Sequence, residues 1–282
     1  MNEQRIDNVA GALVFWSFGP GTQLSKLREA LTANGFGQHS PERMTDGAAL
    51  RASLAAEFEG HKVFPVIVEG KTVFEVVKVS AEGNRNNYEH VMTASVNGKQ
   101  EIETDSYDTK QEERIRESFS GYCTLVPTSQ LTNVMVEIVM SLGGVTMRPA
   151  GGIYWIPECH WTRWKALADA VEQTGPKNRC DACRVILDEN CLKSVREALT
   201  AEVNREAATI NATLNDPETG KRAASTATNK AQALREKIAQ YETAFGIAMT
   251  DLSKAMDDAT TIEATATLMD VANQMDLFAI AG

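Results

Sequence analysis

The sequence predicts an α+β fold, and three observations carry that prediction. One strand and two helices lead into a run of about four strands before residue 105, an order that suits a mainly antiparallel sheet rather than a doubly wound one. A strand-type hairpin sits at Arg148–Pro157 between two helical patterns. From Asp188 onward the apolar residues fall at helical spacing. The expected organisation is an N-terminal mixed α+β domain over residues 1–127, a central helix–hairpin–helix unit over 128–187, and a long antiparallel, coiled-coil-like helical hairpin over 188–282.

Ala10–Phe18 is the first strand, apolar enough for a central position. Phe18–Gly21 turns the chain without a Gly-Lys-Ser/Thr ending, so it is not a phosphate loop. Thr22 reads as the cap of a helix with Leu24, Leu27, Ala30 and Leu31 on one face, ended by Asn34-Gly35. Asp46 caps a second helix, Gly47–Phe58. Lys62–Val68 contains Pro65, which suits an edge or bulged strand. Glu69–Lys71 turns into Thr72–Val79, and Gly83–Asn87 reads as a loop. Tyr88–Val96 and Gln100–Thr104 flank Asn97-Gly98, a hairpin signal. Asp108–Ser118 is a charged helix closed by Gly121, and Tyr122–Val126 suits a short strand. Ser129 caps Gln130–Leu142, whose dense apolar residues predict burial on most sides.

Gly143-Gly144 ends that helix, and Pro149–Gly152 turns the chain into Ile153–Ile156, a β-branched and aromatic run stopped by Pro157. Trp161, Trp164, Leu167, Ala168 and Val171 then fall at helical spacing. Strands this short need cover from the flanking helices. Gly175–Asp181 reads as a polar loop and Arg184–Leu187 as a short apolar segment. In the C-terminal part, Leu192, Val195, Leu199, Val203, Ala207, Ile210 and Leu214 form one stripe. Asn215–Pro217 breaks it, and Leu234, Ile238, Tyr241, Phe245, Ala248, Leu252 and Ala255 form a second with heptad steps. Thr261–Phe278 offers a third helix. The small residues common in this part bury little area each, so self-association or a protein partner is expected through residues 188–282.

The stretch Arg148–Pro157, with Arg148, Gly151, Gly152, Ile153, Tyr154, Trp155, Ile156 and Pro157, resembles a family of uncharacterised phage, plasmid and archaeal-virus proteins. In these, an R-x-x-GG-[IV]-Y-[FW]-[IV]-P hairpin precedes a helix and a long helical tail. The resemblance covers residues from about 128 to the C-terminus. It implies a mobile-element origin and a non-secreted protein, and it names no activity.

Composition narrows the function classes. With 43% hydrophobic and 23% charged residues the chain has ordinary globular material. The net charge of −10 divides into −5 over residues 1–127, zero over 128–183 and −5 over 184–282. No segment is strongly basic, so a DNA-coating role is not favoured. No signal peptide and no membrane-spanning stretch is legible, and the 5 cysteines read as reduced thiols of the cytoplasm, the host cell's if the chain is phage-encoded.

Two constellations merit weighing. Cys159, His160, Cys180 and Cys183 are a candidate zinc set, but a second ligand pair at knuckle spacing is absent and unrelated thiols are the plainer reading. Tyr154 and Trp155, with Arg148, Arg163 and Lys165 nearby, form either the core of the hairpin unit or an aromatic, basic face able to stack single-stranded bases. No catalytic set is legible among 4 histidines without a metal-spaced pair. The expected function is a non-enzymatic interaction or assembly protein of a phage or mobile element. The alternative is a nucleic-acid-associated protein using the hairpin.

Overall fold

The computed structural model describes residues 9–82, 85–106, 108–148, 151–186, 188–216, 219–245, 249 and 253–257. In chain order, β1 (Val9–Ser17) and the two-residue β2 (Thr22–Gln23) precede α1 (Leu24–Ala33) and α2 (Asp46–Glu57). Four strands follow: β3 (Lys62–Val68), β4 (Lys71–Glu82), β5 (Arg85–Val96) and β6 (Ile102–Thr104). Then come α3 (Thr109–Tyr122), β7 (Leu125–Val126), α4 (Thr128–Ser141), β8 (Val145–Thr146) and β9 (Tyr154–Pro157). α5 (Trp161–Glu172), β10 (Arg179–Ile186), α6 (Glu189–Asn215) and α7 (Lys221–Phe245) complete the set. The fold is α+β, and the β3–β6 meander, the β2–β7 pair and the β1–β9–β8 strands are antiparallel. The expected third helix, Thr261–Phe278, lies outside the described residues, as do Ala248 and Leu252.

The chain divides into two compact units, and they cut across the three consecutive parts expected from the sequence. One holds Ser17–Val136 and Ala166–Arg179; the other holds Met1–Trp16, Glu137–Lys165 and Cys180–Gly282. The physical reason is long-range pairing. β1 hydrogen-bonds to β9, so the first strand belongs with the hairpin and the C-terminal helices.

In the first unit β3, β4, β5 and β6 form an antiparallel meander in sequence order. Val68 pairs with Lys71 across a two-residue turn whose central residues, Glu69 and Gly70, have φ of 50° and 78°. That is the type I′ geometry that matches strand twist. β3 is an edge strand, as Pro65 predicts. The β5–β6 connection turns differently from a two-residue Asn-Gly hairpin. Val96 pairs with Ile102, the Asn97 side chain accepts from the Lys99 and Glu101 amides, and Gln100 takes the positive φ of 64°. β4 and β5 also reach further than expected, pairing out to Glu82 and Arg85. Ala49, Leu50 and Leu54 of α2 and Ile115 and Phe119 of α3 pack on Phe74, Val76, Met92, Ala94 and Ile102. Thr45 caps α2 by accepting from Ala48, so Asp46 lies inside the first turn. Thr22 is no helix cap either. It sits in β2, is fully buried, and hydrogen-bonds Asn178.

In the second unit the sheet order is β10-β1-β9-β8. The Arg148–Pro157 hairpin is thus completed by β1, which occupies an inner position. β10 spans the end of the expected polar loop, Gly175–Asp181, and the expected short apolar segment, Arg184–Leu187; its residues, RCDACRVI, lack apolar alternation, as befits an edge strand. Gly11, Leu13, Val145 and Trp155 share one sheet face by register. Trp155 is fully buried there, its ring 5.2 Å from that of Tyr241 and 5.4 Å from that of Phe245. The stripe Val195, Leu199, Val203, Ala207 and Ile210 of α6 is buried in the same core as Ala227, Ala231, Leu234, Ile238 and Tyr241 of α7. The apolar seams of these two helices are therefore covered within the chain.

Candidate functional site

The residues singled out from the sequence scatter rather than converge. Trp155 and Tyr154 are buried, and Tyr154 stacks on Trp16 with centroids 5.0 Å apart. The indole Nε1 of Trp155 has no acceptor among the described residues, so the ring is placed for its shape. Neither ring face is open to stack a base, which removes the aromatic recognition face and leaves the core reading. Arg148, Arg163 and Lys165 are exposed. The structure does not bring the candidate zinc residues to one side of their strand. Cys180 and Cys183 lie three residues apart on β10, so their side chains leave opposite faces of the strand. Cys159 is exposed, burial lowers the His160 pKa with Arg163 adding to it, and no group of three His, Cys, Asp or Glu able to hold a metal occurs among the described residues.

The feature that the sequence reading missed is the second face of the β3–β6 sheet. By register, Phe64 lies beside Glu75 and Thr93, Val66 beside Val73, Val77 beside His90, and Val79 beside Tyr88. These residues alternate with the inner set that packs on α2 and α3. β4 therefore carries apolar residues on both faces, Phe74 and Val76 inward, and Val73, Val77 and Val79 outward beside Glu75. Strands of that kind suit a sheet covered on both sides. On the outer side Val77 is itself buried, at 5% exposed, while its neighbours in the row, Tyr88 at 60% and Phe64 at 43%, stay open. Val68 is exposed on that face too, whereas Ile67, opposite Thr72, is exposed on the inner one, and Val91 is exposed at the register shift of β5. The signal was present in Val73, Val76, Val77 and Val79, whose run breaks simple alternation.

A charged clamp crosses this outer face. His90 Nδ1 lies 3.1 Å from Glu75 Oε1 and its Nε2 3.3 Å from Asp105 Oδ2. Ionised carboxylates only accept, so two such partners require both ring nitrogens to donate, which is the imidazolium. The Glu75 hydrogen bond accordingly raises the His90 pKa, partial burial opposes it, and Asp105 adds to the rise. Burial pushes the Asp105 carboxyl up, but the Thr93 amide, 2.6 Å from Oδ1, and His90 bring it below its ordinary value. A histidine with a raised folded pKa contributes stability that is complete below its unfolded pKa of about 6.5 and fades as pH rises through the folded value. The clamp is half exposed, so its worth is below about 1 kcal/mol. Thermal midpoints are therefore expected to fall slightly between about pH 6.5 and 8. His90→Asn should flatten that slope, read by circular dichroism at matched ionic strength.

A family profile matches residues 9–272 of the chain. The chain belongs to DUF6744, a family of unknown function. No curated protein and no solved structure matches it. The family match runs through both compact units, from β1 past the end of α7, so the open sheet face and the helices lie within the shared region.

The second unit holds one buried ion pair among its described residues. Lys237 of α7 donates to Glu202 Oε1 of α6 and to the Gly144 carbonyl, each at 2.6 Å. Tyr241 donates to the Gly143 carbonyl at 2.8 Å. Burial lowers the Lys237 pKa, and Glu202 opposes that by favouring the charged form. The pair lies in a groove of about 520 Å³ with Arg205, Glu206, Lys230 and Glu236 along it. The groove's charges balance, and the ammonium is engaged with backbone just past α4. The arrangement anchors α7 and offers no nucleophile and base in reach of each other. No described helix is long and apolar enough to cross a membrane.

Proposed function

We propose that this chain is a non-enzymatic interaction protein of a phage or other mobile element, and that the outer face of the β3–β6 sheet is where it meets a protein partner. One observation carries the reading. β4 carries apolar residues on both faces, and on the outer one Phe64, Val68 and Tyr88 stay exposed around a buried Val77. Contiguous exposed apolar surface on a folded domain marks an interaction site more often than chance. The mobile-element assignment rests on the hairpin resemblance at Arg148–Pro157. α6 and α7 serve as an antiparallel, coiled-coil-like brace for β9 and β1, which shifts the expected contact surface from residues 188–282 to the sheet.

Photo-crosslinking in the cell that carries the gene tests this. A crosslinking residue at Tyr88 is expected to give a discrete adduct, and one at Lys193, exposed on α6, is expected to give none. Adding Val73→Lys to the Tyr88 version should cut the adduct about tenfold, the factor expected when a charge enters an apolar contact centre. An adduct that forms at Lys193 and not at Tyr88 would return the contact surface to the helices.

A further inference from the structure

Resting on the sheet-face reading, we infer that the occupant of the β3–β6 outer face is an amphipathic helix of a partner protein, carrying basic residues along one flank. The sheet edge does not suit an added strand. The two-residue turn makes Val68 and Lys71 a hydrogen-bonded pair, and the alternation along β3 then points the backbone of Val63, Pro65 and Ile67 to the free edge. Pro65 has no N–H to give at the centre of that edge. The face, by contrast, is dimensioned for a helix. Three strands at about 4.8 Å spacing give a strip wide enough for one helix of about 10 Å diameter. α2 lies across the opposite face of the same strands with Ala49, Leu50 and Leu54 turned to it.

Charge selects among such helices. Glu75 stands within the row, on β4 between Phe64 and Thr93; Asp105 and Glu103 lie on the β5–β6 side, with His90 between Glu75 and Asp105; Lys62 is on β3 and Lys71 at the start of β4. Covering the carboxylates without added positive charge would desolvate them at a cost, so the partner's basic residues belong on the flank facing Asp105. The chain's own C-terminal segment does not meet this requirement, because no lysine or arginine follows Lys254.

The test is selection of displayed 18-residue helical peptides on the full chain. The library has a fixed apolar stripe and flanks randomised among Lys, Arg, Glu, Gln and Ala. The retained pool is expected to be enriched in Lys and Arg on one flank. A selected peptide should bind about tenfold more weakly to chain carrying Glu75→Gln, and its binding should be lost with Tyr88→Glu. Circular dichroism melts confirm that both variants fold. Acidic or neutral flanks, with binding still lost in Tyr88→Glu, would overturn the basic partner while keeping the face as the docking surface. A pool that binds Tyr88→Glu equally well would overturn both, as would a pool with no retained peptide. A doubled particle mass of the free chain, reversed by Tyr88→Glu, would make the occupant a second copy and overturn the inference.

Discussion

Gly11→Ala is expected to destabilise the second unit by about 3 kcal/mol, the upper part of the overpacking range. A Cβ at Gly11 would lie 2.2 Å from the Ile156 carbonyl oxygen and 2.5 Å from the Trp155 ring. β1 pairs with β9 at this point, Gly11 opposite Pro157, and the indole of Trp155 lies across the glycine. The backbone oxygen cannot move without breaking the register, so the collision has no cheap relief. For a chain of this size the loss corresponds to a midpoint drop of roughly 6–12 °C. Near-ultraviolet circular dichroism, sensitive to the buried tryptophans, reads it during heating and urea unfolding. Gly98→Ala is the matched control, because a Cβ there meets nothing within 4 Å. Its midpoint should stay within the experimental spread. Gly11→Ala combined with Trp155→Phe removes the ring contact and keeps the carbonyl one, so a partial rescue is not expected to exceed the Trp155→Phe level alone. A Gly11→Ala protein as stable as the parent would mean that β1 and β9 are not paired in this register.

That contact also shows where the sequence stopped being informative. Local signals were legible: the apolar run of β1, the proline that keeps β3 at an edge, and the helical spacing of Val195, Leu199 and Val203 all reappear in the fold. The pairing of β1 with β9 was not, because it joins residues about 140 positions apart and nothing in either strand names its partner. Gly11 looked like one small residue in an apolar strand. Its role exists only once Trp155 lies on it. The Tyr154–Trp155 pair invited two readings from composition alone, and burial decides between them. The Cys180-x-x-Cys183 pair misled for a related reason. On a helix or knuckle two thiols at that spacing share a side, whereas on β10 they do not. The outer sheet face was hidden because a valine-rich strand reads the same whether its second face is covered by the chain or left open.

Glu202→Gln is expected to cost about 3 kcal/mol, and its pH dependence identifies the cause. Lys237 is 8% exposed and its ammonium has two partners, Glu202 and the Gly144 carbonyl. Removing the carboxylate leaves a positive charge desolvated and half satisfied. The remaining bond to Gly144 cannot offset this, since one hydrogen bond to a charged group is worth about 1.5–3 kcal/mol. In the parent, burial already holds the Lys237 pKa below its ordinary value, and Glu202 acts against that shift. Without Glu202 the folded-state pKa falls further. A lysine whose folded pKa lies below its unfolded one is penalised while charged, so stability returns as pH rises through the folded value toward about 10.4. The deficit of Glu202→Gln against the parent should therefore shrink as pH rises toward about 10.4 in urea titrations. A purely steric defect would leave it constant. Lys237→Met with Glu202→Leu removes both charges together, and its deficit should be about 1 kcal/mol, the share of the Gly144 carbonyl left without its donor. If the double variant is instead as damaged as Glu202→Gln, the anchoring of α7 depends on the ammonium–carbonyl bond past the end of α4 and not on the pair of charges.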